Sequence, residues 1–273
     1  MSTEPLLPVL IVGAGPVGLT LACELFRHKV PFRLIEQADA PTLYSKAQIL
    51  HSRTLELFED LGLATRICEQ ARPARALNLC TRDWQRIVHV AVGEHDTAYP
   101  YMLNLSQRDL ELLLADHLAS VGGVIERRVH LNSFEQKDDH VVCSLSHEGD
   151  RTETVMARYL VGCDGAHSTV RKGLGLPFIG DTYEWRLTQA DVRIDWSIAQ
   201  PTDEAVVFLS AQGPLAAFPL PGERRYRLIA FDAPEEPTLA NFQKLMDERG
   251  PTGCRVSDPH WMVQFTIHCR QVE

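Results

Sequence analysis

Two stretches of this chain hold residue types that suit an anionic ligand. The first is Gly13-Ala14-Gly15-Pro16-Val17-Gly18, a G-x-G-x-x-G spacing. The first glycine of such a run permits a tight turn, and the second lets backbone approach a pyrophosphate. The third lets a helix lie close on a strand, and the N–H groups at the helix start then face the anion. Glu36 follows Gly18 by eighteen residues. A carboxylate there can take ribose hydroxyls and would repel a 2′-phosphate, which disfavours NADP at this position. The second stretch, "RYLVGCDGAHSTVRKGLG" (Arg158 to Gly175), runs from an apolar segment through Asp164-Gly165 and a Ser/Thr-rich turn into a basic helix start. It too has the form of a strand, a turn and a helix that could meet a phosphate.

These residues need elements to hold them. "PVLIVGAGPVGLTLACELFRHKVPFRLIEQ" predicts a strand at Val9–Val12, a helix over about Pro16–His28 and a strand at Phe32–Glu36. The short β-branched run suits a parallel strand buried on both faces, and Leu19, Ala22, Cys23 and Phe26 recur at helical spacing. "SRTLELFEDLGL" predicts a helix with Ser52 as N-cap and Gly62 at its stop. From about Ala76 to Met102 the pattern turns to alternation, which predicts a β insertion. "LSQRDLELLLADHLASVGG" returns to helix. "HVVCSLSH" and "ETVMARYLVGCDG" predict a hairpin leading into a central strand. After Leu176 the texture is mostly strand, with one clear helix near Thr238–Asp247.

Composition removes several classes of function. Lys+Arg 27 against Asp+Glu 36 leaves a net charge of −9 with no basic block, so nucleic acid is not an expected partner. Pro5 to Cys23 is nineteen residues without a charge, but it contains three glycines and three prolines and follows Glu4. It reads as a buried strand, turn and helix rather than a membrane span or a secretory signal. The seven cysteines are scattered, with no C-x-x-C pair and no metal-ligand spacing. A reducing, cytoplasmic setting and no metal are expected.

A glycine loop alone does not separate NAD from FAD. Four segments in order, "VLIVGAGPVGLTLACEL", "SKAQILHSRTLELFEDLGL", "LSQRDLELLL" and "YLVGCDGAHSTVRKGLGLPFIGDTYEWRLTQADV", resemble the FAD-dependent aromatic hydroxylases. These are the single-component flavoprotein monooxygenases of the p-hydroxybenzoate hydroxylase and phenol hydroxylase type. The Asp-Gly segment is the most specific of the four, because ordinary NAD dehydrogenases lack it. The resemblance implies an α/β fold: a Rossmann-like FAD-binding domain of the glutathione-reductase type with β insertions, plus a mostly β substrate domain. Residues 1–75 and 103–178 are expected to form the first, and 76–102 and 179–273 the second.

The resemblance also implies roles. Gly13, Ala14, Gly15, Pro16, Val17, Gly18 and Glu36 would hold the ADP half of FAD. Lys46 falls where the family commonly places an Arg near the pyrophosphate, and a Lys there lacks the bidentate fork. Gln107 sits where a Gln bonds the ribityl–phosphate region. Asp164 and Gly165 match the motif associated with FAD and with transient NAD(P)H binding. Arg171 would anchor that loop or meet the NAD(P)H phosphates. NAD(P)H would reduce the flavin, O2 would add at its C4a position, and the resulting hydroperoxide would hydroxylate a phenol- or polyketide-like aromatic. Catalytic side chains are not assigned: no nucleophile–base triad is required, and His51, Arg53 and His167 carry no pattern that fixes a role.

The chain departs from the family in one respect. A third motif, Gly-Asp followed by Ala-Ala-His, is not among its 273 residues. The expectation is that the C-terminal part of the FAD domain is absent here and is supplied by a longer chain or a partner, with self-association possible at an unfinished sheet edge. Two other readings stay open: a non-catalytic remnant or interaction module that holds FAD weakly, and an NAD-dependent dehydrogenase using only the first loop.

Overall fold

A computed structural model describes residues 6–42, 47–92, 96–149, 151–197, 203–231 and 236–272. The chain divides into two units, one gathered from within 1–46, 107–179 and 271–273, the other from 47–106 and 180–270.

In the first unit Leu7–Val12 forms the strand that the sequence predicts, with Leu10 and Ile11 fully buried. Parallel neighbours flank it on both sides: Phe32–Glu36 on one and Thr152–Gly162 on the other. Burial on both faces is why the run is continuously apolar rather than alternating. The sheet has six strands, extended by Ile125–Arg127 beyond Phe32–Glu36 and by the antiparallel strands Val141–Ser146 and His130–Gln136 beyond Thr152–Gly162. Helix Pro16–Arg27 buries Gly18, Leu19, Ala22 and Cys23, and helix Gln107–Ser120 buries Leu110, Leu113, Leu114 and Leu118. The Cys23 thiol reaches the Leu114 carbonyl, joining the two helices.

The second unit has a seven-stranded sheet in the order Arg255–Val272, Phe178–Asp195, Arg225–Phe231, Leu215–Pro219, Glu204–Leu209, Ala76–Thr81, Arg86–Ala91. Ala190, Val192, Ile194, Phe208 and Leu228 pack on Phe242 and Met246 of helix Leu239–Arg249. Ala76–Thr81 pairs in parallel with Glu204–Leu209, so the predicted β insertion joins the later strands.

Residues 47–75 fall with the second unit by contact grouping, and Ile49–Leu50 and Arg72–Ala74 both pair with Met102–Asn104 in a small sheet of their own. Those pairings join segments far apart in sequence, which a local pattern does not encode. One expectation needs correction. Ser52 does not cap its helix. His51 holds the N-cap position without a side-chain bond, and the Ser52 hydroxyl donates to the Tyr99 carbonyl at 2.8 Å. Gly62 does stand at the stop: the helix ends at Asp60, Gly62 follows the Leu61 C-cap at φ +72°, and a further short helix, Ala64–Gln70, comes next.

Toward the amino ends of the parallel strands, Arg33 bonds both Glu126 (2.7 and 2.8 Å) and Glu153 (2.8 and 3.2 Å). His147 Nε2 lies 2.7 Å from Glu153. The Arg33 guanidinium holds the Glu153 carboxyl at about 2, against opposing burial and with help from His147. A carboxyl depressed in the folded state contributes stability that is complete above its unfolded value of 4.5 and is lost as pH falls toward about 2. Thermal unfolding of Glu153→Gln should therefore lie below wild type at neutral pH, and the difference should shrink between about pH 4.5 and 2. A gap that does not change with pH would remove this ion pair from the account.

Candidate functional site

The two turns singled out in the sequence stand side by side. Register Val12↔Gly162 places the carboxyl ends of two parallel strands together, and Cys163 N–H donates to the Val12 carbonyl at 2.8 Å. The chain leaves one strand toward helix Pro16–Arg27 and the other toward helix Thr169–Gly173. A crevice at such carboxyl ends is where open α/β sheets bind ligands. Here it is a cleft of about 430 Å³, lined by Gly13, Gly15, Glu36, Asp164, Gly165 and His167 together with Gln37, the Val129–Leu131 segment and Thr169.

The three glycines do different work. Gly13 has φ +103°, and its N–H donates to the Ile35 carbonyl. A Cβ there would lie 2.5 Å from the Cys163 carbonyl oxygen. A Cβ at Gly18 would lie 1.9 Å from the Gly13 oxygen, so that glycine lets the helix touch the turn. Gly15 has φ −73° and open space where a Cβ would be. It is needed by neither backbone conformation nor packing, and it lines the cleft. Pro16 opens the helix, where its missing N–H costs nothing.

Glu36 grips the turn. Its Oε2 accepts from the Ala14 N–H at 2.7 Å, and its Oε1 from the Ala38 N–H at 2.9 Å. The carboxylate is thus fixed at the cleft edge before any ligand arrives. Asp164 works similarly on the second turn, its Oδ2 accepting from the N–H groups of Thr169 (2.6 Å) and Val170 (3.3 Å). Its other oxygen, Oδ1, is buried without a hydrogen-bond partner among the described residues. Burying an acceptor in that state costs stability unless a donor arrives. Burial, aided by the Asp164 charge, pushes the Cys163 thiol up, so it stays a neutral packing group between the turns.

Other expected residues fall elsewhere. Gln107 is half-buried at the start of helix Gln107–Ser120, and its Nε2 donates to Glu111 Oε1 at 2.8 Å. Arg171 ties the loop together: its Nη1 donates to the Ala166 carbonyl at 2.8 Å and its guanidinium lies 4.5 Å from the Phe178 ring centroid. Val17 is exposed, and Lys46 lies outside the described residues. Arg53 pairs with Glu56 on its own helix. Glu111 and His130 were not singled out by the sequence. A glutamate at a helical position flanked by leucines was the one available signal for Glu111.

The residues present suit an extended dinucleotide such as FAD. An open cradle at Gly15, a pre-set carboxylate at Glu36 and an orphaned acceptor at Asp164 Oδ1 converge on one cleft. Among the described residues no cluster of His, Cys, Asp or Glu could hold a metal, and no helix is long and apolar enough to cross a membrane.

A family model described as FAD binding domain matches residues 7–250. The chain is 41% identical over 269 residues to a 6-methylpretetramide 4-monooxygenase of Streptomyces rimosus, covering 97% of this chain and 48% of that protein. It is 33% identical over 275 residues to a rifampicin monooxygenase of Streptomyces venezuelae, covering 97% of this chain and 55% of that one. The crystal structure of p-nitrophenol 4-monooxygenase from Pseudomonas putida superposes with a TM-score of 0.84 at 24% identity, covering 99% of this chain and 70% of that one. That likeness establishes the fold. The chain spans about half the length of the curated relatives it matches.

The glycine geometry makes a paired prediction. Gly15→Ala should leave stability unchanged or raise it by up to about 1 kcal/mol, since the conformation suits alanine. Gly18→Ala should cost about 2 kcal/mol or more, since the added carbon meets backbone. Urea denaturation of the two variants checks this, and equal losses would contradict the division of roles.

Proposed function

The chain belongs to the FAD binding domain family, and from that premise we propose that its cleft holds FAD and serves the oxygenation of an aromatic compound. The observation that carries the reading is the convergence of two strand–turn–helix turns on one cleft with an orphaned acceptor between them. Bound here, FAD would supply the redox chemistry: hydride acceptance from NAD(P)H and activation of O2, one oxygen passing to an electron-rich ring and the other leaving as water.

The chain's own residues bind and orient. The turn Gly13 to Gly18 receives the pyrophosphate, with Gly15 giving backbone access and Ala14 and Val17 lining the approach to the helix N-terminus. Glu36 accepts from the adenosine ribose hydroxyls through the lone pairs that Ala14 and Ala38 leave open. Asp164 Oδ1 accepts from a hydroxyl donor of the cofactor, while Gly165 keeps the turn free of side chain. Gln107 meets the ribityl–phosphate region, and Arg171 holds the 164–168 loop in place. Lys46 is assigned to the pyrophosphate by its motif position alone. The substrate is a phenol- or polyketide-like aromatic, a class suggested by the relatives' names, and NAD(P)H is the co-substrate. Seven free thiols support a reducing, cytoplasmic setting.

Purified chain incubated with FAD should turn yellow and quench flavin fluorescence, and an electron-rich phenol should then stimulate NAD(P)H oxidation with oxygen uptake. Asp164→Ala should weaken FAD binding by about 10-fold or more, because a charged acceptor is lost. A colourless wild-type protein would sink the FAD reading. Flavin binding without turnover across a phenol panel would sink the oxygenation alone.

A further inference from the structure

Near Glu36 lies a carboxylate that none of these roles uses. Glu111 is 5% exposed, the most buried Asp or Glu among the described residues, on a helix face shared with Leu110, Leu114 and Leu118. Its carboxyl accepts from Gln107 Nε2 at 2.8 Å and from the backbone N–H of Thr42. Burial pushes this carboxyl up, and the nearby Glu36 charge adds to the rise; the Gln107 amide, the Thr42 N–H and Arg127 pull the other way. Placing an acid here costs stability that a leucine at the same position would not.

The geometry gives that cost a use. The 37–42 segment follows Glu36 directly and contributes Gln37 to the cleft. Its near end is fixed by Glu36, through the Ala38 N–H, and its far end by Glu111, through the Thr42 N–H. Glu111 also takes the nitrogen end of the Gln107 amide, which fixes which end of the amide faces the carboxylate. A carboxylate accepts only, so it selects this amide orientation where a hydroxyl would allow either.

We propose that Glu111 is a positioning residue of the FAD site. It sets Gln107 with its carbonyl as a pre-oriented acceptor for cofactor hydroxyls and registers the 37–42 loop against helix Gln107–Ser120 before the cofactor binds. The proposal rests on the reading that the cleft takes FAD. Preorganisation of this kind raises affinity without a direct contact.

The test measures two quantities on the full chain: the FAD dissociation constant by flavin fluorescence, and the melting temperature without FAD. Glu111→Leu should melt no lower than wild type, since it removes a buried charge and Thr42 is exposed enough for its N–H to find water. It should nonetheless bind FAD about 10-fold more weakly. Glu111→Gln, whose amide can donate as well as accept, still sets Gln107 as before in one of its two orientations and should weaken FAD binding by less than Glu111→Leu. Gln107→Ala should weaken binding to a similar degree as Glu111→Leu, and the double variant should be no worse than the weaker single, because both act through one amide.

Unchanged FAD affinity in Glu111→Leu, or fully additive losses in the double variant, would overturn the proposal while leaving the FAD reading intact. Parallel losses of stability and affinity in both Glu111 variants would make the residue structural and overturn it equally. Wild-type chain that binds no FAD would overturn the underlying reading and this inference together, and is told apart by the wild-type titration alone.

Discussion

The parallel pairing of Leu7–Val12 with Thr152–Gly162 is the constraint on which the candidate site depends. Its register sets Val12 beside Gly162, and the two chains then leave the sheet as adjacent turns. Two missing side chains make the approach possible. With any Cβ at Gly13 the turn would run into the Cys163 carbonyl, and with any Cβ at Gly18 the helix would run into Gly13. The cleft therefore exists because backbone meets backbone at these points, and its polar groups inherit their positions from that contact.

The first unit separates its mutually paired charges from the acids at its cleft along the strand axis. Arg33, Glu126 and Glu153 satisfy one another toward the amino ends of the strands, half-buried and mutually bonded. At the carboxyl ends the acids behave differently. Glu36 and Asp164 accept from backbone N–H groups, so their geometry is fixed with no ion pair to a cation among the described residues. An acceptor held by amides keeps lone pairs for a hydroxylic ligand, whereas one locked in a bidentate arginine fork would not. This division of labour is a physical reason why the site can be both rigid and receptive.

Much of this was legible along the chain. The glycine spacing, the helix Pro16–Arg27, the strand Phe32–Glu36 and the hairpin of Val141–Ser146 with Thr152–Gly162 all follow from local pattern, because turn conformation and apolar periodicity are properties of neighbouring residues. Less legible were the uses of individual polar groups. Ser52 has the right residue type for an N-cap, yet its hydroxyl goes to Tyr99, forty-seven residues away. Arg171 has the charge of a phosphate ligand, and only the fold shows that its Nη1 donates to the Ala166 carbonyl while its guanidinium lies by the Phe178 ring. A hydrogen bond is awarded by proximity, and proximity between distant segments is not written in either segment.

The sequence by itself determined that two phosphate-suited turns exist, what elements flank them and which family they resemble. Only the tertiary structure decided that the turns are neighbours, that residues 47–75 group with the second unit, that Asp164 keeps one oxygen without a partner among the described residues, and that Glu111 bonds Gln107 near Glu36. The reason is one of range. Backbone conformation responds to side chains a few positions away, so it can be read from spacing. Strand order and the partners of buried polar atoms depend on pairings between segments separated by tens to more than a hundred positions, and these are settled only when the whole sheet closes around its core.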